Sequence, residues 1–354
     1  MRVLTNPYRP DGLGPLPGLD HQEVSTDPGP VLALLERCPE AKPTPLVDAP
    51  GLAASARIAR LWLKDERNRM GLGSFKALGA AYVIAREAAS TSTGKMEGVT
   101  YVAASAGNHG LSVAVGAAVF GARSVIYVSQ NVPESLADRL RDAGAEVIRQ
   151  GADYEDSMAA AEVAAKEHGW RLLSDSSWPG YSRIPRQVME GYLVVGHEAA
   201  AQMDHPPTHI FLQAGVGGLA ASLAAYFRSC WGNAPLIVVA EPESARALLE
   251  SVDAGEPVRS DGPPSTMGRL DCKEPSHLAL AVLARLADYF VTISDAEADE
   301  AAQLLEAHGL ATTPSGGAGV AAVINADRPT LGLEDTSRVL AVLSERALPE
   351  LSAP

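Results

Sequence analysis

Cysteine is scarce in this 354-residue chain: only Cys38, Cys230 and Cys272 occur, far apart and odd in number. That excludes a disulfide framework, and the lack of any C-x-x-C spacing removes the commonest structural zinc pattern. Positive charge is also in deficit, with 29 Lys and Arg against 43 Asp and Glu and a net charge of −14. Phosphate backbones and anionic bilayers attract a basic field, so neither nucleic acid nor membrane is expected as a partner. No apolar run approaches the ~18 residues of a membrane span. No charged-then-apolar start resembles a signal peptide, so the expected location is the cytoplasm.

What is present suits a large globular protein with a substantial core. Hydrophobic residues make up 46% of the chain, and its length exceeds what one core usually serves, so two domains or one large α/β domain is expected. Residues 1–45 are proline-rich (N-P-Y-R-P, G-P-L-P-G, D-P-G-P) and read as an irregular arm wrapped over the body or toward a partner subunit, with a short helix at Val31–Arg37. From there strands and helices alternate. Strands are expected at Leu61–Lys64, Val99–Ala104, Ser124–Val128, Glu146–Arg149, Arg171–Ser174, His209–Gln213, Leu236–Ala240 and Val339–Leu343. Helices are expected at Phe75–Ala89, Leu111–Phe120, from Pro133, and at Tyr154–His168. Continuous apolar strands separated by helices imply parallel sheets covered on both faces. Residues 252–276 read as a long polar loop.

Chemistry is suggested where a buried strand runs into a glycine-rich turn that opens a helix. Backbone N–H groups there, with the helix dipole behind them, hold an anion without charged side chains. The device occurs at Y-V-A-A-S-A-G-N-H-G (101–110) and H-I-F-L-Q-A-G-V-G-G-L-A (209–220), and a similar turn follows at 312–319. The second lacks G-x-G-x-x-G and a Walker lysine, so a phosphate monoester suits it better than a dinucleotide. Such turns are also ordinary packing devices.

Lys76 lies in G-L-G-S-F-K-A-L-G-A (71–80), among small and apolar residues with no carboxylate within one helical turn. A surface lysine is the ordinary reading. In an apolar housing, loss of solvation would instead lower its pKa and make it a nucleophile or base. An amine plus a phosphate cradle suggests a Schiff base to pyridoxal phosphate.

In this order K-D-E-x-x-R-x-G-L-G-S-F-K-A-L-G-A-A, S-A-G-N-H-G and G-V-G-G-L-A resemble the fold-type-II pyridoxal-phosphate enzymes. S-D-S-S-W-P-G-Y-S-R-I-P (174–185) and D-C-K-E-P bring the likeness nearest to the diaminopropionate ammonia-lyase family, over most of the chain from about residue 40. The resemblance implies two doubly wound α/β domains with the cofactor in the cleft between them. The large domain would comprise 1–75 and 188–354, and the small one 76–187. It implies pyridoxal 5′-phosphate bound to Lys76, with Asn108 on the ring hydroxyl and Ser344 on the ring nitrogen. Gly215, Val216, Gly217, Gly218 and Leu219 would cradle the phosphate, and backbone N–H groups of Ser105, Ala106, Gly107, Asn108 and His109 would take the substrate carboxylate. Asp175 would assist catalysis. A homodimer is implied as well.

The implied activity is β-elimination of a β-substituted amino acid such as 2,3-diaminopropionate, giving a 2-oxo acid and ammonia. The chain departs from the family at Ala106, where the pattern has an aspartate base that accepts the D-isomer. Alanine takes no proton, so L-selectivity is expected, with Lys76 as base. The alternatives are a serine/threonine-type dehydratase, a β-replacement synthase, a racemase, or a cofactor carrier without activity. No metal is expected: His205 and His209 are separated by P-P-T and share no helix face. Glu198 resembles a dehydratase glutamate, with a solvated helix residue the competing reading. Trp178 and Tyr181 read as pocket-lining or core residues.

Overall fold

The structure, a computed structural model, describes residues 1–19 and 21–347. Two sheets organise it. The first has seven strands in the order β1 (Val3–Thr5), β10 (Tyr289–Ile293), β9 (Leu236–Pro242), β8 (His209–Gln213), β11 (Arg338–Leu343), β3 (Arg60–Asp65) and β2 (Leu46–Asp48). Its five inner strands are parallel, while β1 and β2 pair antiparallel at the edges. The second sheet is parallel throughout, in the order β6 (Glu146–Arg149), β5 (Arg123–Val128), β4 (Thr100–Ala104) and β7 (Arg171–Leu172). All four of its strands fall between the segments that build the first sheet.

The inner strands have the composition that burial on both faces demands. His-Ile-Phe-Leu-Gln of β8 is buried at every position, as is Thr-Tyr-Val-Ala-Ala of β4. A fully buried polar end such as Gln213 is paid for by hydrogen bonds, here to the carbonyls of Gly316 and Val342 at 3.1 and 2.9 Å.

The arm wraps over the body of its own chain, and it carries one unexpected strand. Val3–Thr5 forms the edge strand β1 against β10, and Leu13, Leu16 and Leu19 are buried in the main core, so the arm packs on its own chain. Alternating apolar residues among prolines supply an edge strand and a few core anchors, which is what an edge tolerates. The helix expected from Phe75 begins with a single 3-10 turn, Phe75–Leu78, before the α-helix Gly79–Ala89. The helix expected from Leu111 starts earlier, at Asn108. The short helix spans Gly29–Leu35, and β7 ends at Leu172, two residues before the expected end. Residues 255–276 carry no helix or strand, yet Met267 and Leu270 are buried.

Candidate active site

The site assembles where strands of both sheets end. The Lys76 segment is held to the end of β11 by backbone bonds: Phe75 N–H donates to Ser344 O at 3.1 Å, and Arg346 N–H to Gly73 O at 3.0 Å. Gly73 stands at φ +84°, in the left-handed region that glycine enters without strain. Ser74 caps the turn, its hydroxyl accepting from Lys76 N–H at 3.3 Å. Close approach explains another glycine of the segment. A Cβ on Gly79 would stand 2.7 Å from the Tyr192 ring, so only glycine lets the helices Gly79–Ala89 and Arg183–Gln202 meet here.

The half-buried Lys76 ammonium reaches the Asp175 carboxylate and forms an ion pair with it. The Phe75 and Tyr192 rings lie 5.3 and 5.8 Å from the amine. This corrects the expected electrostatics of Lys76. Burial does push the amine down, but the Asp175 carboxylate outweighs it and holds the amine above the ordinary lysine value. Asp175 is correspondingly held well below the usual carboxylate range: burial opposes this, and the Lys76 charge overrides it. His109 lies 3.9 Å from Asp175 through Nδ1, while its Nε2 bonds the Leu173 carbonyl at 2.8 Å. Tyr181 braces the Asp175 turn. Its hydroxyl accepts from Ser174 N–H at 3.1 Å, donates to Leu172 O at 2.9 Å, and its ring stacks on Trp178 at 4.4 Å.

The two glycine-rich turns flank this pair. Gly107 precedes the helix Asn108–Val119, and Gly217 precedes the helix Gly218–Trp231; neither helix start has a side-chain cap, so both leave N–H groups for an anion. Gly217 has φ +100°, and a Cβ there would stand 3.0 Å from both Ala279 Cβ and Leu248 Cδ1. A Cβ on Gly215 would meet Cys272 Sγ at 3.0 Å. The D-C-K-E-P segment therefore packs on the 215–219 turn, and burial pushes its Cys272 thiol up to about 12. A Cβ on Gly218 would stand 3.9 Å from Asp175 O and 3.8 Å from the Tyr192 ring, which places this turn beside the Lys76–Asp175 pair.

Asn108 donates to Glu345 and accepts from Arg139 Nη1 at 3.4 Å. Ser344 is buried beside it at the end of β11. So Lys76, Asp175, Asn108, Ser344, the 105–109 turn and the 215–219 turn come together. Three contributors had no sequence signal: Glu345, Arg269 and Tyr192. Glu345 is buried, with Oε1 accepting from Thr313 Oγ1 at 2.5 Å, and burial raises its carboxyl against the pull of Arg269. Tyr192 is buried beside Lys76 with a hydroxyl that has no hydrogen-bond partner among the described residues.

Other candidates lie elsewhere. Glu198 is a buried ion-cluster residue, 2.7 Å from Lys64 Nζ and 2.8 Å from Arg69 Nη1, with Glu66 and Thr44 completing the cluster. His209 is spent on Leu331 O at 2.9 Å, and His205 packs edge-on against Trp62.

The residues present fit pyridoxal phosphate: a lysine amine, an uncapped glycine cradle whose backbone a Cβ would crowd, and an orphaned phenol facing the same space. Comparison with known proteins agrees. Residues 38–345 match the family described as pyridoxal-phosphate dependent enzyme. Diaminopropionate ammonia-lyase of Escherichia coli K12 is 32% identical over 277 residues, covering 73% of this chain and 69% of that protein. The crystal structure of the Escherichia coli diaminopropionate ammonia-lyase with D-serine superposes with a TM-score of 0.87 at 26% identity, over 98% of this chain and 93% of that one. The same lyase with an aminoacrylate-PLP azomethine reaction intermediate gives 0.86 at 26% identity, with the same coverage. The chain belongs to the pyridoxal-phosphate-dependent enzymes of fold type II, and its cofactor is pyridoxal 5′-phosphate.

Proposed function

We propose that the protein is an ammonia-lyase that performs β-elimination on a β-substituted L-amino acid, with 2,3-diaminopropionate the first compound to test. The observation that carries this reading is the Lys76–Asp175 pair set between two uncapped helix starts. Bound pyridoxal phosphate supplies an electron sink that acidifies the Cα–H of an attached amino acid. The chain does the rest. N–H groups of Gly215–Leu219 would hold the phosphate, and Asn108 and Ser344 would hold the ring, the first through the ring hydroxyl and the second through the ring nitrogen. N–H groups of Ser105–His109 take the substrate carboxylate and fix the Cα–H toward Lys76. The Lys76 amine removes that proton; Asp175, in contact with it, steadies the ammonium so formed and supplies a proton path to the leaving group. The Cα–H and Cβ–substituent bonds break, and water then releases the 2-oxo acid and ammonia.

L-selectivity is part of the proposal. Ala106 offers no proton acceptor in the carboxylate-binding turn, which leaves Lys76 as the base on one face. Comparable ammonia release from D- and L-isomers would overturn it. A β-hydroxy amino acid is the second reading, favoured by the same uncharged Ala106. We place the enzyme in the cytoplasm as a homodimer, with domain boundaries at residues 76 and 187. The deciding experiment is a visible spectrum of the purified protein followed by an ammonia-release screen. Native protein should show a bound-cofactor band and release ammonia, and Lys76→Ala should lose both while keeping its far-UV circular dichroism. A new amino acid formed on adding a thiol would reassign it to β-replacement, and Cα deuterium wash-in without ammonia would make it a racemase.

A further inference from the structure

We propose that Arg269 makes this site selective for amino acids that carry a second, anionic group on the side chain, a carboxylate or a phosphate. The inference rests on the β-elimination reading and names its substrate class. The Arg269 guanidinium lies on the turn that takes the substrate carboxylate, its Nη1 3.0 Å from where a Cβ on Gly107 would stand. Its side chain is 30% exposed, and the nearest carboxylate oxygen, Glu345 Oε2, is 3.8 Å from Nε. Among the described residues none of its side-chain N–H groups makes a hydrogen bond; only its backbone N–H does, to Ser315 Oγ at 3.1 Å. A planar fork of donors matches carboxylate or phosphate edge-on, and one whose N–H groups make no hydrogen bond among the described residues, beside a substrate turn, is free to be matched by the ligand.

Two more guanidinium groups share this wall. Arg139 donates to Leu72 O at 3.2 Å and to Asn108 Oδ1 at 3.4 Å. Arg346 lies over Gly73, its Nε 2.6 Å from the Cβ position there. The carboxylate among them, Glu345, is bonded through its two oxygens to Asn108 and Thr313. Three guanidinium groups to one carboxylate leave a local positive excess; the Arg139 guanidinium is pulled below its usual value mainly by burial, with repulsion from Arg346 and Arg269 adding to it against the opposite pull of Glu345. That excess stands in a chain whose net charge is −14, and Ala106 adds no negative charge to the turn. The β-ammonium of 2,3-diaminopropionate would meet repulsion here; a β-carboxylate or β-phosphate would be drawn in.

L-aspartate and L-asparagine, equal in shape and different in charge, test this on the holoenzyme because neither has a β leaving group. Their affinities are read from the change in the bound-cofactor absorbance. Aspartate should bind at least about tenfold tighter than asparagine, and Arg269→Met should abolish the difference. Ammonia release should be faster from 3-hydroxyaspartate or O-phosphoserine than from serine or 2,3-diaminopropionate, the first two compounds separating carboxylate from phosphate selectivity. Equal or tighter binding of asparagine overturns the proposal. So does an equal loss for both ligands in Arg269→Met, which would make Arg269 a clamp for the α-carboxylate common to all amino acids. Retention of the cofactor band verifies folding, and Arg269→Lys, keeping the charge, should preserve part of the preference. Ammonia from no amino acid at all would refute the elimination reading, while the aspartate-to-asparagine ratio would still decide the selectivity.

Discussion

The Asp175 carboxylate, ninety-nine residues further along the chain, closes directly on the Lys76 ammonium. Neighbours in sequence give Lys76 an apolar housing, whereas its charge state is governed by this one distant residue. The pair reverses the direction in which burial alone would move the lysine.

Asp175→Asn separates the two influences. Burial would then act on Lys76 without the carboxylate, so the amine should titrate at lower pH than in the native protein. In cofactor-free protein, the pH above which Lys76 reacts with an acylating reagent should fall, as read by mass spectrometry of the Lys76 peptide. Ammonia release should drop by about 10²–10⁴, the range for losing a positioned proton-transfer group. An unchanged reaction profile would show that Asp175 does not set the charge of Lys76.

Gly217→Ala puts a Cβ at 3.0 Å from Ala279 Cβ and Leu248 Cδ1, on a residue at φ +100°. Strain of this kind costs about 1–3 kcal/mol. Urea unfolding should show that loss, and equilibrium dialysis should show weaker cofactor retention, because the same backbone is the proposed phosphate cradle. Unaltered retention would place the phosphate elsewhere.

Glu241, fully buried at the end of β9, accepts from Leu248 and Leu249 N–H at 2.8 Å, and Leu248 in turn packs on Gly217. Burial pushes its carboxyl from 4.5 to about 8. The folded state thus binds a proton that the unfolded chain releases in this window, so stability should fall as pH rises from about 4.5 to about 8. Glu241→Gln should remove up to about 1.4 kcal/mol per pH unit of that slope. Parallel stability curves for variant and native protein would refute the shift.

Ala106→Asp should restore a proton acceptor in the 105–109 turn. Ammonia release from a D-amino acid should rise at least about tenfold, with the L-rate little changed, if the missing base is what excludes the D-isomer. No gain would mean that pocket shape, not the absent carboxylate, sets the stereochemistry.

What the chain wrote locally could be read locally. Glycine-rich turns that expose N–H groups, the lysine among small residues and the apolar parallel strands are properties of consecutive residues. Backbone hydrogen bonding and strand burial make them visible without the rest of the molecule. The strand within the arm was missed for the same reason, since the partner of Val3–Thr5 is β10, nearly three hundred residues on, and no local signal names it. Side-chain pairing was decided by tertiary structure alone. Asn108 and Glu345 meet across 237 residues, and Arg269 reaches Gly107 from an irregular segment. These meetings depend on how the two sheets place their strand ends, and periodicity records which face is buried but not what that face will touch. The sequence by itself determined the lysine among small residues and the glycine-rich turns that expose N–H groups, because both are properties of consecutive residues; the packing of the sheets decided the charge of that lysine and which arginines stand beside the 105–109 turn.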